Sequence, residues 1–138
     1  MHERKVEMAK RSCAFIGLPG GFGTFEEVLE VTTWTQLGIH TKPVVLINVL
    51  SYWEPLRQLI QGGVREGFIS QANADIIVFV DGPGAGASAE EHETFNWGEA
   101  ALNAITAWTH ETSYRFKWTD SETAASSSAN DSAKLNFA

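Results

Sequence analysis

The sequence predicts an α/β fold in which a parallel β-sheet is flanked by helices. Three short, continuous apolar runs are each long enough for one buried strand, and segments with helical spacing of apolar residues separate them. This alternation is typical of parallel strands joined by right-handed helical crossovers. A parallel sheet usually has about five or six strands, so three strands indicate the second half of such a domain.

The first elements run from an N-terminal helix to a helix that ends at a glycine. Residues 2–11 predict a helix with apolar residues among charged ones. The apolar run over residues 13–18 predicts a strand buried on both faces of the sheet. A second helix is predicted over residues 24–37, and Gly38 stands where a C-cap glycine is expected.

The pattern then repeats and ends in a different kind of sequence. Residues 43–49 and 76–80 predict two more buried strands, and residues 52–66 predict the helix between them. Together, residues 1–81 form the predicted half-domain.

Three further segments follow this half-domain. Residues 82–92 are predicted as a flexible, glycine-rich linker, and residues 93–118 as a helical extension whose helix ends near residue 108. Residues 119–138 are rich in Ser, Ala, Thr and Asn and predict a disordered tail.

Composition excludes several classes of protein. The 138 residues carry a net charge of −7 without a basic block, which disfavours a nucleic-acid binder or a protein of anionic membranes. No apolar stretch reaches the roughly 18 residues of a membrane span, and the charged N-terminus has no signal-peptide core. The single cysteine, Cys13, excludes an internal disulfide framework, and its apolar neighbours predict an inert, buried thiol. We therefore expect a soluble protein of the cytoplasm.

A glycine-rich loop follows the first predicted strand. The segment Leu18–Glu27 lies at a strand-to-helix turn, where open α/β sheets bind their ligands. Glycines let backbone N–H groups approach an anion, and the next helix adds free N–H groups and the positive end of its dipole. The loop matches neither the Walker A pattern nor GxGxxG. Phosphate binding and a plain tight turn both remain open.

Helix capping offers a second explanation for two residues of this loop. Thr24 and Glu27 have the Thr-x-x-Glu spacing of a capping box, and Ser51 and Glu54 have the same type of spacing without any glycines. Glu26 and Glu27 point about 100° apart on a helix, so we expect only one of them to face a pocket at the loop.

Arg4 and Lys5 are the nearest cationic candidates for that pocket. The alternative is a solvated helix face on which Glu3 and Glu7 are their partners. The histidines are scattered, without the spacing of a metal site, and each is expected to be exposed or hydrogen-bonded. The sequence thus predicts neither a metal nor a cofactor.

Two motifs at a fixed mutual spacing resemble those of one family. The run Met1–Lys5 is similar to MHxRK, and the run Pro19–Glu27 is similar to PGGxGTxxE. These are the paired signatures of the LOG (LONELY GUY) family of cytokinin riboside 5′-monophosphate phosphoribohydrolases, once labelled as lysine decarboxylases. The resemblance covers about residues 1–80.

The resemblance implies a Rossmann-like homodimer that cleaves the N-glycosidic bond of a nucleoside 5′-monophosphate and releases the free cytokinin base and ribose 5-phosphate. It assigns catalytic roles to Arg4 and Glu27. The other matched positions are implied to bind substrate, with the 5′-phosphate held by the loop: Gly20, Gly21, Gly23 and Thr24 at the phosphate, and Lys5 and Thr33 near the substrate.

The residue types agree with this chemistry. Breaking a ribosyl–nitrogen bond passes through an oxocarbenium-like state, and the carboxylate of Glu27 can stabilise that charge or activate water. Arg4 is a poor general acid because a guanidinium stays charged, and it is better suited to binding phosphate or orienting Glu27. Lys42 is expected in an exposed turn, and nothing indicates the pyridoxal-phosphate lysine of a decarboxylase.

Two alternative functions and one expectation about the chain accompany this reading. The alternatives are a nucleosidase for AMP or another purine nucleotide, since nothing in the sequence reads the N6 substituent, and a non-catalytic nucleotide-binding remnant. Family members carry a further stretch before MHxRK, and Met1 coincides with the methionine of that motif. We therefore expect a truncated chain whose sheet has an exposed edge, and which folds poorly unless a dimer covers that edge.

Overall fold

A three-stranded parallel sheet forms the centre of the computed structural model, which describes residues 2–84 and 86–110. The strands are β1 (Phe15–Gly17), β2 (Val44–Ile47) and β3 (Ile77–Val80), and they lie in this order across the sheet. The helices are α1 (His2–Arg11), α2 (Phe22–Gln36), α3 (Glu54–Arg65), α4 (Gln71–Ala74), α5 (Ala89–Thr94) and α6 (Trp97–Ala107). The predicted α/β class with parallel strands is confirmed.

One face of the sheet packs against α2 and α3. Val44 and Leu46 of β2 are fully buried on this face, in contact with a cluster that includes Val28 and Val31 of α2. The two helices lie on the same side because the chain crosses from β1 to β2 to β3 in one direction, and each crossover carries its helix to that side.

The opposite face packs against α6. Val45 and Ile47 are buried there together with Ala101 of α6, and Trp97 packs against this cluster. Gly82 allows the approach, because a Cβ at this position would lie 2.3 Å from the Trp97 ring. Gly82 also has a φ of 70°, which favours glycine.

Strand β1 differs from its prediction, because it is not buried on both faces. It is an edge strand of the described sheet, and Ile16 is 50% exposed while Gly17 is buried. Helix α6 packs on β2 and β3, so the Ile16 side of β1 lies beyond its cover.

Helix α2 begins earlier than predicted, and the capping box proposed for Thr24 and Glu27 is wrong. The N-cap is Gly21, and it makes no side-chain capping hydrogen bond. The glycine loop lets the helix start at Phe22, so Thr24 already lies inside it. The C-terminal prediction is confirmed: Gly38, with a φ of 71°, follows the helix and donates its N–H to the Thr35 carbonyl.

The second proposed capping box is also wrong, and a third one was missed. Helix α3 has Trp53 as its N-cap without a side-chain bond, and Ser51 lies outside the helix at a φ of 60°. A reciprocal capping box does join Ser88 and Glu91 at the start of α5. Hydrogen bonds of Glu91 with the backbone N–H and the side chain of Ser88 lower the pKa of Glu91. Helix α5 thus begins inside the segment predicted as a flexible linker.

Cys13 and Lys42 also differ from their predictions. Cys13 is exposed rather than buried, because it precedes the edge strand β1. Lys42 is partly buried rather than in an exposed turn, and its ammonium group donates to the Ala9 carbonyl of α1. Burial lowers the pKa of Lys42.

Two histidines are less well satisfied than expected. The Nδ1 atom of His40 accepts a hydrogen bond from the Lys42 N–H, while its Nε2 atom is buried without a partner among the described residues. Burial, together with the nearby Lys42 charge, lowers the pKa of His40 to about 4. His92 is buried against Trp97, and its Nδ1 atom likewise has no partner in the described part of the chain.

Two predictions fall partly or wholly outside the described residues. The predicted tail over residues 119–138 lies outside them, as does the end of the helical extension beyond residue 110. None of the helices within the described ranges is long and apolar enough to cross a membrane.

Candidate functional site

The glycine loop presents the free N-terminus of α2 at the carboxyl end of β1. The first helical hydrogen bond runs from the Phe25 N–H to the Gly21 carbonyl, so the N–H groups of Phe22, Gly23 and Thr24 have no acceptor within the helix. No acidic residue lies in the first turn, and no side chain of the described residues caps it. The positive end of the helix dipole is therefore open to an anion.

The glycines of this loop have different surroundings. At Gly20, a Cβ would lie 2.1 Å from the Thr24 hydroxyl oxygen, so close packing requires glycine there. At Gly21 and Gly23, a Cβ would meet no heavy atom of the described residues within 4 Å, and neither glycine has a positive φ. The fold of the described residues therefore gives no steric or conformational reason for these two glycines, and their effect is to keep the start of α2 free of side chains.

A cavity of about 480 Å³ lies beside this helix start. Its polar lining comes from Thr24, Glu27 and Lys5, and Gly23 also lines it. The remaining lining is largely apolar and comes from α1, from β1 and the residues that follow it, from α2 and from β2: Met8, Phe15, Ile16, Leu18, Val28, Val31 and Val44 among others. The cavity thus combines the uncapped start of α2 with a carboxylate and an apolar wall.

Lys5 of α1 binds three carboxylates of α2. Its Nζ atom lies 2.5 Å from Oε1 of Glu26, 2.8 Å from Oε2 of Glu30 and 3.5 Å from Oε1 of Glu27. The Lys5 side chain is only 14% exposed. The hydrogen bonds that its ammonium group donates to Glu26 and Glu30 raise the pKa of Lys5 well above the ordinary value, so the amine is protonated.

Of the two adjacent glutamates, Glu27 lines the cavity and Glu26 does not appear in its lining. This agrees with the 100° separation expected on a helix. Despite this angle, both carboxylates contact the same ammonium group, because the long Lys5 side chain reaches both. Carboxylate oxygens of Glu26, Glu27 and Glu30 lie within 4.8 Å of one another around this ammonium.

Arg4 faces a smaller, adjoining cavity. This cavity of about 260 Å³ is lined by Arg4, Lys5, Met8 and Glu27. Glu7, one of the two carboxylates considered as partners of Arg4 and Lys5, pairs with Arg11, at 3.2 Å. Within the described ranges no carboxylate forms an ion pair with Arg4, so its guanidinium is available to a ligand near Glu27.

Thr33 lies apart from these groups. It is exposed on α2, and its hydroxyl donates to the Leu29 carbonyl. Six residues of helix, or roughly 9 Å of axial rise, separate it from Glu27. The structure therefore brings together five of the eight candidates, with two more on the loop leading to them: Arg4, Lys5, Gly23, Thr24 and Glu27 at the cavities, Gly20 and Gly21 on the loop.

Tyr52 is a residue of this region that the sequence analysis missed. Its hydroxyl group donates to the Gly20 carbonyl, and its ring lies edge-on to Trp53 with centroids 5.2 Å apart. A weak signal was available in its position shortly after β2, because the carboxyl ends of neighbouring parallel strands meet at one edge of the sheet.

Comparison with known proteins gives one family and several close relatives. The family described as "possible lysine decarboxylase" matches residues 1–89. The cytokinin riboside 5′-monophosphate phosphoribohydrolase LOG3 of Arabidopsis thaliana is 62% identical over 78 residues, which cover 56% of this chain and 36% of the relative. For LOG1 of the same plant and the same description, the identity is again 62% over 78 residues, covering 56% and 37%.

A relative from rice extends the aligned region slightly. A protein of Oryza sativa subsp. japonica, named a probable cytokinin riboside 5′-monophosphate phosphoribohydrolase, is 57% identical over 84 residues, covering 61% of this chain and 36% of the relative. The chain spans about a third of the length of these curated relatives.

Proposed function

The chain belongs to the family described as possible lysine decarboxylase, and from this membership and the geometry of its site we propose that it is a phosphoribohydrolase. The reaction is hydrolysis of the N-glycosidic bond of a cytokinin riboside 5′-monophosphate, which releases the free base and ribose 5-phosphate. The names of the relatives, all above 55% identical in the aligned region, support this substrate class.

The observation that carries the proposal is that one cavity holds both a free helix N-terminus and a carboxylate. Thr24 and Glu27 are three residues apart on α2, so both side chains lie on one side of the helix, separated by roughly 4.5 Å of axial rise. A 5′-phosphate bound by the N–H groups at Gly23 and Thr24 would therefore leave the ribose next to Glu27.

Glu27 supplies the charge that the reaction requires. As the bond between C1′ and the base nitrogen breaks, its electron pair leaves with the base and positive charge develops on the ribose. The Glu27 carboxylate stabilises this charge and accepts a proton from the water that adds to C1′, and the departing base nitrogen takes up an equivalent proton from solvent, so that water is divided between the ribose and the free base. Arg4, beside Glu27 and without an ion-pair partner in the described part of the chain, binds the phosphate or a substrate oxygen.

Lys5 supports hydrolysis rather than the amine chemistry of a decarboxylase. A lysine that forms a Schiff base needs a neutral amine, whereas Lys5 contacts three carboxylates and has a raised pKa. Its contact with Glu27 instead orients that carboxylate toward the cavity.

A homodimer acting in the cytoplasm completes the proposal. An apolar groove of about 490 Å³ lies between α2 and α3, and Leu29 and Leu59 on its walls are 48% and 72% exposed. Phe22, at the start of α2, is 89% exposed. Exposed apolar area of this kind marks an association surface, and a second copy of the chain is the partner that we propose.

Measurement of released base tests the activity. The protein is incubated with N6-isopentenyl-AMP and, separately, with AMP, and the free base is quantified. We expect the Glu27→Gln variant to lose about 100- to 10,000-fold in turnover, because its amide neither carries charge nor accepts the proton.

Glu26→Gln is the matched control, because it removes a neighbouring carboxylate from the same Lys5 cluster without altering the lining of the cavity. It is expected to lose far less activity than Glu27→Gln. Equal losses in the two variants would contradict the role given to Glu27. Equal turnover of both nucleotides would favour a general purine nucleotide nucleosidase, and binding without any base release would favour a non-catalytic protein.

A further inference from the structure

We propose that Tyr52 is a positioning residue that orients the glycine loop for the phosphate group of the substrate; this rests on the proposed function. Its hydroxyl group donates to the carbonyl of Gly20, 32 residues away in the sequence. Tyr52 lies between β2 and α3, outside both motifs that carry the family resemblance.

The hydrogen bond sets the direction of the next N–H group. The Gly20 carbonyl and the Gly21 N–H belong to one planar, trans peptide unit, and they point in opposite directions. No cis peptide occurs in the described residues. When Tyr52 holds the carbonyl, the Gly21 N–H is directed away from Tyr52, and it makes no hydrogen bond to the described residues.

The same hydrogen bond removes a repulsive group from the anion's path. A backbone carbonyl carries partial negative charge, so a phosphate-binding loop must turn its carbonyls away from the ligand. Since Gly20 and Gly21 have no side chains, the loop backbone has a wide conformational range. A contact from outside the loop is therefore needed to select the arrangement that binds an anion.

The turn that carries Tyr52 is held firmly. The Asn48 side chain accepts a hydrogen bond of 2.6 Å from the Trp53 N–H and donates one of 2.8 Å to Asp81. Asn48 is 3% exposed and Trp53 is 2% exposed. These buried contacts fix the residues on both sides of Tyr52.

The turn also contains backbone strain. Leu50 and Ser51, the two residues before Tyr52, have φ values of 50° and 60°, a region that side chains other than glycine rarely adopt. Neither side chain is buried, so packing does not explain the conformation. Strain of this kind persists where the surrounding structure requires it and is frequent at functional sites. Here its effect is to direct Tyr52 toward the glycine loop.

Ligand binding by the Tyr52→Phe variant tests this role. Calorimetric titrations measure the Kd values of inorganic phosphate, AMP and adenosine for the wild-type chain and for the variant. We expect the Kd values of phosphate and AMP to rise by the same factor, about three- to tenfold, as loss of one hydrogen bond predicts. The Kd of adenosine, which has no phosphate, is expected to stay unchanged.

A second variant separates positioning from stability. Ser70→Ala removes a hydrogen bond of similar strength, from the Asn73 N–H to the Ser70 hydroxyl at the start of α4. It lies far along the chain from the loop and is expected to lower the unfolding temperature without changing the Kd of phosphate. The positioning role of Tyr52 is overturned if Tyr52→Phe weakens the binding of adenosine as much as that of AMP, or if it changes none of the three Kd values.

The outcome also distinguishes this inference from the proposed function. If the wild-type chain binds phosphate but releases no base, the proposed phosphoribohydrolase activity is contradicted. The ratio of the Kd values of the Tyr52→Phe variant to those of the wild-type chain still decides the role of Tyr52. A wild-type chain that does not bind phosphate at all overturns both.

Discussion

Replacing Gly23 by alanine is expected to raise stability and lower activity at the same time. Gly23 is the second residue of α2, has no positive φ, and would place its Cβ in open space. Alanine is favoured over glycine in a helix by up to about 1 kcal/mol. For a domain of this size, a gain of about 0.5–1 kcal/mol raises the unfolding temperature by about 2–8 °C.

The added methyl group occupies the surface on which the phosphate is proposed to lie. A displacement of the substrate by about 1 Å can lower the rate by about 100-fold, so we expect kcat/KM to fall by about 10- to 100-fold. Thermal unfolding followed by circular dichroism gives the stability change, and base release from N6-isopentenyl-AMP gives the activity change.

Gly62→Ala in α3 is the matched control. Its Cβ would meet only the Arg65 guanidinium, at an ordinary 3.6 Å, and it lies in neither cavity at the loop. It is expected to raise the unfolding temperature similarly without affecting activity. If Gly23→Ala instead lowers stability while Gly62→Ala raises it, Gly23 is required by the fold. If Gly23→Ala leaves kcat/KM unchanged, the ligand does not approach the helix start.

Two further predictions concern pH and association. The pKa of His40 is about 4 in the folded protein, below its ordinary value of 6.5. Between these two pH values the unfolded chain therefore binds a proton at this residue and the folded chain does not. The stability that depends on His40 is therefore fully present above pH 6.5 and is lost as the pH falls from 6.5 to 4, by about 1–2 kcal/mol once solvent screening of the partly buried ring is included; His40→Asn should flatten this dependence in urea unfolding, and parallel curves would contradict it. Leu59→Glu is expected to convert the proposed dimer to a monomer in light-scattering chromatography, whereas Leu102→Glu on α6, 64% exposed in the wild type, should not. An unchanged dimer in Leu59→Glu would exclude the groove as the interface.

Elements with strong local patterns were predictable from the sequence. Helix α1 has the predicted bounds, and each of the three strands lies inside a predicted apolar run. Gly38 marked the end of α2, because a glycine in the left-handed conformation is a local requirement of that helix end. In each case the deciding residues are neighbours in the chain.

The start of α2 was harder to predict because two local signals compete there. Thr24 and Glu27 have capping-box spacing, whereas the glycine loop allows Gly21 to serve as the N-cap. Spacing alone does not show which signal prevails. The structure places Thr24 inside the helix, where its side chain packs against Gly20.

The arrangement of the site depends on contacts between distant residues. Lys5 and Glu26 are 21 positions apart, and Tyr52 and Gly20 are 32 positions apart. Periodicity describes one helix or strand at a time, so it does not reveal which side chains from different elements meet. The family motifs predicted Glu27 and the glycines as site residues, but the contact made by Tyr52 emerges only from the fold.

Helix α6 has a consequence for how the boundaries of this domain are drawn. The family match ends at residue 89, yet the residues that cover Val45 and Ile47 on the second face of the sheet come from α6, beyond that point. An expression boundary placed at the end of the match would therefore cut through the hydrophobic core. The described residues beyond the family match thus form one wall of the domain that carries the two motifs.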